Sequence, residues 1–141
     1  MRESKHAAYR SGYKYQLAAD LFLQTTLRPP QPILTDYICL GCDGLMLLKK
    51  GYCSDGPSGP TIDTRSSIRW AFGHDGLYQL IRLGHLPAEL RKECDRNAYA
   101  GWVADGMWKW RAKLWLRELN KFGGPAADPK NIKRVHLAPG G

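Results

Sequence analysis

The first half of the chain sets short apolar runs between turn residues, and the second half repeats apolar residues at helical spacing. Tyr37-Ile38-Cys39-Leu40 and Leu45-Met46-Leu47-Leu48 flank Gly41-Cys42-Asp43-Gly44. Asp-Gly between two apolar runs predicts a hairpin, because glycine takes the positive φ that a tight turn needs. Residues 13–23 fit either a further strand or a short helix: the alternation is imperfect, and Leu17, Ala18 and Leu21 also suit helical spacing. Arg28-Pro29-Pro30-Gln31-Pro32 forces an extended connector. Cys53-Ser54-Asp55-Gly56-Pro57-Ser58-Gly59-Pro60 excludes both helix and central strand, and predicts a shaped loop with carbonyls turned outward.

Beyond that loop, Ser66 and Ser67 are placed to cap a helix that runs to about Leu83 and stops at Gly84. Pro87 suits the first turn of a second helix reaching Gly123-Gly124-Pro125, with Gly106 able to break it in two. The pattern predicts an α+β protein: a small N-terminal antiparallel sheet packed on an antiparallel two-helix unit. The expected organisation is a single domain over residues 1–123, followed by a loose, proline-bearing tail over 124–141.

Composition narrows the class. The 141 residues suffice for one compact domain, and 43% apolar with 24% charged residues is globular composition. The net charge of +8 is concentrated at the C-terminal end, where residues 107–141 carry eight cations against two acids. No apolar run approaches the ~18 residues of a membrane span. The N-terminal residues lack an apolar stretch of the kind that marks a cleaved secretory signal. Four cysteines are too few for a disulfide scaffold and suit reduced thiols. A reducing cytoplasm is therefore the expected location.

The chemistry concentrates around the loop and the two helices. His74 and Asp75 face different neighbours, about 100° apart on a helix, and Tyr78 lies one turn beyond His74 on the same face. Arg91 and Asp95 form an (i, i+4) pair on the second helix. A short turn makes the helices antiparallel, which brings His74 within reach of Asp95. A histidine backed by a carboxylate is the base-and-orienter half of a catalytic triad, with water able to serve as nucleophile. Asp75 aimed at the Asp55–Pro60 loop could join its carbonyls around a hard cation such as calcium. The parts fit ester hydrolysis by a His-activated water. From spacing alone they fit better a buried polar network that anchors the loop, in which Ser58 is a turn hydroxyl and Asp55 a turn or cap residue.

SDGPSGPTID, then FGHDGLY, then RKECD resembles a phage- and prophage-associated domain family of unknown function. The pattern is Asp-x-x-Ser-x-Pro, His-Asp-x-x-Tyr and Arg-x-x-x-Asp, at Asp55, Ser58, Pro60, His74, Asp75, Tyr78, Arg91 and Asp95, and it covers about residues 33–105. The resemblance implies a phage- or prophage-encoded accessory protein, located in the host cytoplasm or the virion, with virion proteins among its partners. Arg91, Ser58, Pro60 and Asp63 would support the site structurally.

More distantly, HDGLY and ECDRNAYAGW are similar to the two helices of secreted phospholipase A₂ enzymes, especially the short bacterial and fungal type. That similarity implies His74 as general base, Asp95 as its orienter, Tyr78 as a supporting hydroxyl, and calcium held by Asp75 with Asp55 and Gly56. The implied substrate is an acyl-ester lipid.

Two features stand apart. Cys39-x-x-Cys42 has the spacing of one zinc knuckle, but Cys53 and Cys94 complete no known zinc spacing, so core and hairpin roles are favoured. Trp108, Ala112, Trp115, Leu119 and Phe122 form an apolar stripe beside the cationic row Lys109, Lys113, Arg117 and Lys121. Residues 107–122 thus read either as a helix whose Trp108 and Trp115 pack on the domain or as an interfacial lipid-binding helix. Nucleic acid ranks third, because base stacking needs exposed aromatics.

Overall fold

The structure is a computed structural model that describes residues 3–7, 9–10, 15–54 and 65–127, with side chains over 3–7, 16–53 and 67–118. These residues form an α+β protein with two compact units, one ending at Ser54 and one beginning at Arg65. Each is described by itself.

The N-terminal unit contains seven short strands. β1 (Tyr9–Arg10), β2 (Tyr15–Leu17) and β7 (Cys53–Ser54) make an antiparallel three-stranded sheet in the order β1-β2-β7. β3 (Leu21–Gln24), β4 (Ile33–Leu34), β5 (Ile38–Leu40) and β6 (Leu45–Leu48) make an antiparallel four-stranded sheet in the order β3-β6-β5-β4. The expected hairpin is β5–β6, with Leu40 opposite Met46 and Ile38 opposite Leu48. Of residues 13–23, 13 and 14 lie outside the described residues, while 15–17 and 21–23 are strand on either side of a bend, because pairing partners on β7 and β6 outweigh the local helical spacing. Leu21, Leu48 and Ile38 align across one face, as do Leu23, Met46, Leu40 and Ile33, and all are buried. Their neighbours Phe22, Leu47 and Cys39 point the other way and are half-buried.

Gly44 closes the hairpin at φ +86°, where an added Cβ would stand 2.5 Å from the Thr25 carbonyl oxygen and 2.6 Å from that of Leu27. No other residue type fits that turn. The free edge of β3 is occupied by the chain start: the Ser4 N–H donates to the Phe22 carbonyl, and the Phe22 N–H donates to Ser4 Oγ.

The C-terminal unit is helical. α1 (Arg65–Arg82) ends at Gly84, whose φ of +83° lets its N–H donate to Ile81 O and the His85 N–H donate to Leu80 O, a Schellman closure. After a 3-10 turn (Ala88–Leu90) begun by Pro87 comes α2 (Arg91–Ala104). Gly106, at φ +102°, closes α2 in the same way, with Gly106 N–H to Val103 O and Met107 N–H to Trp102 O. α3 (Lys109–Ala127) follows.

Two boundaries differ from expectation. α1 already runs at Arg65, so Ser66 and Ser67 lie within the helix and not before it. Ser67 is instead buried, and its carbonyl accepts the Trp102 indole N–H. α3 continues through Gly123, Gly124 and Pro125 to Ala127. Glycine stops a helix by taking positive φ, as Gly84 and Gly106 do and Gly123 and Gly124 do not. Residues 128–141 of the expected tail lie outside the described residues.

Candidate functional site

α1 and α2 run antiparallel, since successive contacts pair higher positions on one with lower positions on the other. His74 meets Asp95, Trp70 lies against Gly101, and Ser67 meets Trp102. Gly101 makes this approach possible, because a Cβ there would collide with the Trp70 ring. Leu77, Leu80, Ile81, Ala98 and Trp102 are buried in the unit, and Trp115 of α3 stacks edge-on against Trp102 at 5.0 Å between ring centroids. At the far end of the pair, Arg69 holds Asp105 through two nitrogens, Nε at 2.9 Å and Nη2 at 2.8 Å. No local pattern links these two residues, 36 positions apart, and sequence reasoning missed them.

The polar cluster sits within this packed pair. His74 Nε2 lies 2.7 Å from Asp95 Oδ1, and the Tyr78 hydroxyl donates to the same oxygen at 2.6 Å. Where the carboxylate accepts, Nε2 is the donor of this contact, and Nδ1 is the ring nitrogen outside it. The His74 and Tyr78 rings lie against each other, with centroids 4.1 Å apart. This is the expected one-turn spacing along α1. All three side chains are buried: Asp95 completely, His74 with 3% of its surface exposed and Tyr78 with 2%.

Burial, reinforced by the hydrogen bond and negative charge of Asp95, drives the Tyr78 pKa far above its ordinary value, while Arg91 works weakly in the other direction. Tyr78 is therefore a permanent donor. The second oxygen, Asp95 Oδ2, is buried and has no hydrogen-bond partner among the described residues; Arg91 Nη1 approaches it at 4.0 Å, one helical turn away. That is an electrostatic contact, beyond hydrogen-bond range. Cys94 beside it is fully buried, and desolvation pushes its thiol up to about 12.

The predicted site residues divide into two groups. His74, Tyr78, Asp95 and Arg91 come together. Asp75, half-buried on the next face of α1, is a described hard-oxygen donor, whereas Asp55, Gly56, Ser58, Pro60 and Asp63 lie outside the described residues. Among the described residues no group of three His, Cys, Asp or Glu side chains could hold a metal. Cys39 is half-buried on β5, Cys42 exposed in the hairpin turn and Cys53 half-buried on β7.

The expected stripe on 107–122 is only partly an inner face. Ala112 and Trp115 are buried, but Trp108 is 71% exposed. It precedes the first helical residue and offers its carbonyl to the Ala112 N–H, so the helical period does not govern where its ring goes. Leu119 and Phe122 side chains lie outside the described residues. No helix among the described residues is long and apolar enough to cross a membrane. No family model, curated protein or solved structure matches the chain.

Proposed function

We propose that the α1–α2 pair carries a general-base site for hydrolysis of acyl esters, with lipids as the favoured substrate class. The observation that supports this best is the 2.7 Å contact between His74 Nε2 and Asp95 Oδ1. With Nε2 committed to the carboxylate, Nδ1 is the nitrogen left to accept a proton. In this reading Nδ1 removes a proton from water as the oxygen attacks the ester carbonyl. The tetrahedral intermediate then collapses, and the same proton passes to the departing alkoxide, giving a carboxylic acid and an alcohol. Asp95 holds the ring in the required tautomer and stabilises the imidazolium, and Tyr78 anchors Asp95. Asp75 is chemically suited to a hard cation, and with Asp55 and Gly56 it would hold calcium weakly, at about 0.1–1 mM. When bound, calcium would supply positive charge to the developing oxyanion. A phage or prophage setting rests on the order and spacing of the three motifs.

A second reading is favoured by a specific observation, the near-complete burial of His74 and Asp95. In it the same residues are the polar scaffold of a non-enzymatic virion or tail-associated protein. The two part on one experiment. Hydrolysis of a soluble short-chain ester and of phospholipid is measured with and without calcium, alongside melting temperature, in wild type, His74→Gln and Asp75→Asn. The hydrolase reading expects activity lost in His74→Gln. It also expects a calcium-dependent rise in melting temperature that is lost in Asp75→Asn and kept in His74→Gln. Wild type that hydrolyses neither ester, with His74→Gln acting only on stability, establishes the scaffold instead.

A further inference from the structure

We infer that the outward face of α3 is a docking surface for an anionic lipid bilayer. Five large apolar side chains are exposed among the described residues, and three of them, Trp108 at 71%, Trp110 at 62% and Leu114 at 46%, fall within seven positions. Trp110, Leu114 and Arg117 follow at i, i+4 and i+7, on the side of α3 away from the buried Ala112 and Trp115. Lys109 and Lys113 are exposed beside them. Trp108 and Trp110 lie with ring centroids 6.1 Å apart, so their exposed area is contiguous. Solvated charge alone would explain the cations, but it does not explain why the apolar residues on this face are the large amphipathic ones.

The occupant follows from the chemistry of the face. α3 carries five cations against one acid, so a second copy presenting the same face would be repelled. The partner must be negatively charged and must also take up apolar side chains. Leu114 has no π face on which a base could stack, and it sits between Trp110 and Arg117. An aliphatic contact at that place suits acyl chains better than nucleobases. Trp rings at the headgroup level, Leu114 beneath them and cations meeting lipid phosphates make one consistent arrangement. The face extends the acyl-ester reading by naming where substrate is met, and it rests on residues separate from His74 and Asp95.

The test is cosedimentation of the full chain with vesicles of phosphatidylcholine alone and with added phosphatidylglycerol, in calcium-free buffer. Binding is expected only with phosphatidylglycerol, and it should weaken as salt rises. Lys113→Gln with Arg117→Gln should lower the partition coefficient more than tenfold, at about fivefold per cation. Trp110→Ser with Leu114→Ser should lower it at least tenfold while leaving the circular dichroism spectrum and melting temperature unchanged, since these side chains are exposed. His74→Gln should bind like wild type even where soluble-ester hydrolysis is lost, which keeps the two proposals separable. The inference is overturned by absent binding, by equal binding to both vesicles, or by indifference to the Trp110/Leu114 change. It is also overturned by tighter binding to a single-stranded oligonucleotide, or by a dimer that the same change dissolves.

Discussion

Removing the Tyr78 hydroxyl isolates the most heavily used atom of the cluster, Asp95 Oδ1. Tyr78→Phe keeps the ring, and with it the contact to His74, and deletes the 2.6 Å bond to Asp95 together with the phenol's weaker interaction with Arg91. A hydrogen bond to a charged group contributes about 1.5–3 kcal/mol. Tyr78 is 2% exposed and Asp95 is sealed, so water is poorly placed to replace the lost donor. The expected destabilisation is therefore about 2 kcal/mol. All five tryptophans of the chain lie between positions 70 and 115, so the midpoint of urea unfolding followed by tryptophan fluorescence reports the helical unit. A second background checks the cause. With Asp95→Asn the acceptor remains but the charge is gone, and the cost of Tyr78→Phe should fall to about 1 kcal/mol, the value of a neutral bond. A loss below about 0.5 kcal/mol in the wild-type background would refute the account, as would an equal loss in both backgrounds. The first result would mean that the carboxylate draws nothing from the phenol, the second that its charge adds nothing to the bond.

Two further outcomes follow from the same cluster. Arg91→Ala should cost about 1–2 kcal/mol in the urea midpoint: its guanidinium is 4.0 Å from a buried oxygen but its side chain is 23% exposed, between the ~3 kcal/mol of a buried pair and the ~0.5 kcal/mol of a surface one. An unchanged midpoint would make it a surface residue. Stability should also decline above pH 9, because the unfolded Cys94 thiol loses its proton there while the folded one, raised to about 12, keeps it. The unfolded state then binds fewer protons, so the slope is negative, at most about 1.4 kcal/mol per pH unit from this one thiol. Cys94→Ala should remove the part of the decline that begins near pH 9, and Tyr78→Phe the part that begins near pH 10. An unaltered alkaline profile in Cys94→Ala would contradict the burial argument.

Much of the local structure is legible in the residues, because glycine and proline act within a few positions of themselves. The Asp43-Gly44 turn, the stop at Gly84 and the break at Gly106 all depend on a backbone angle that only glycine adopts readily, and each occurs where the sequence places it. Gly123 and Gly124 show the limit of the same rule: the residue permits the angle but does not impose it. The approach of His74 to Asp95 was also legible, since a short turn between two helices leaves little choice about which faces meet.

What the sequence determined by itself is accordingly the broad order of elements and the candidate residues that lie at helical spacing: two antiparallel helices, a strand-rich first half, and His74, Tyr78, Arg91 and Asp95. Tertiary structure decided what no local period encodes. Pairing with β6 and β7 made residues 15–17 and 21–24 strands, Arg69 found Asp105, and the Trp70 ring settled on the bare backbone of Gly101. It also sorted the tryptophans in and just before α3, burying Trp115 against Trp102 and leaving Trp108 and Trp110 outside. The physical reason is the same in each case. Spacing along a helix says which residues share a face, but which face is buried depends on the surfaces that distant parts of the chain present to it.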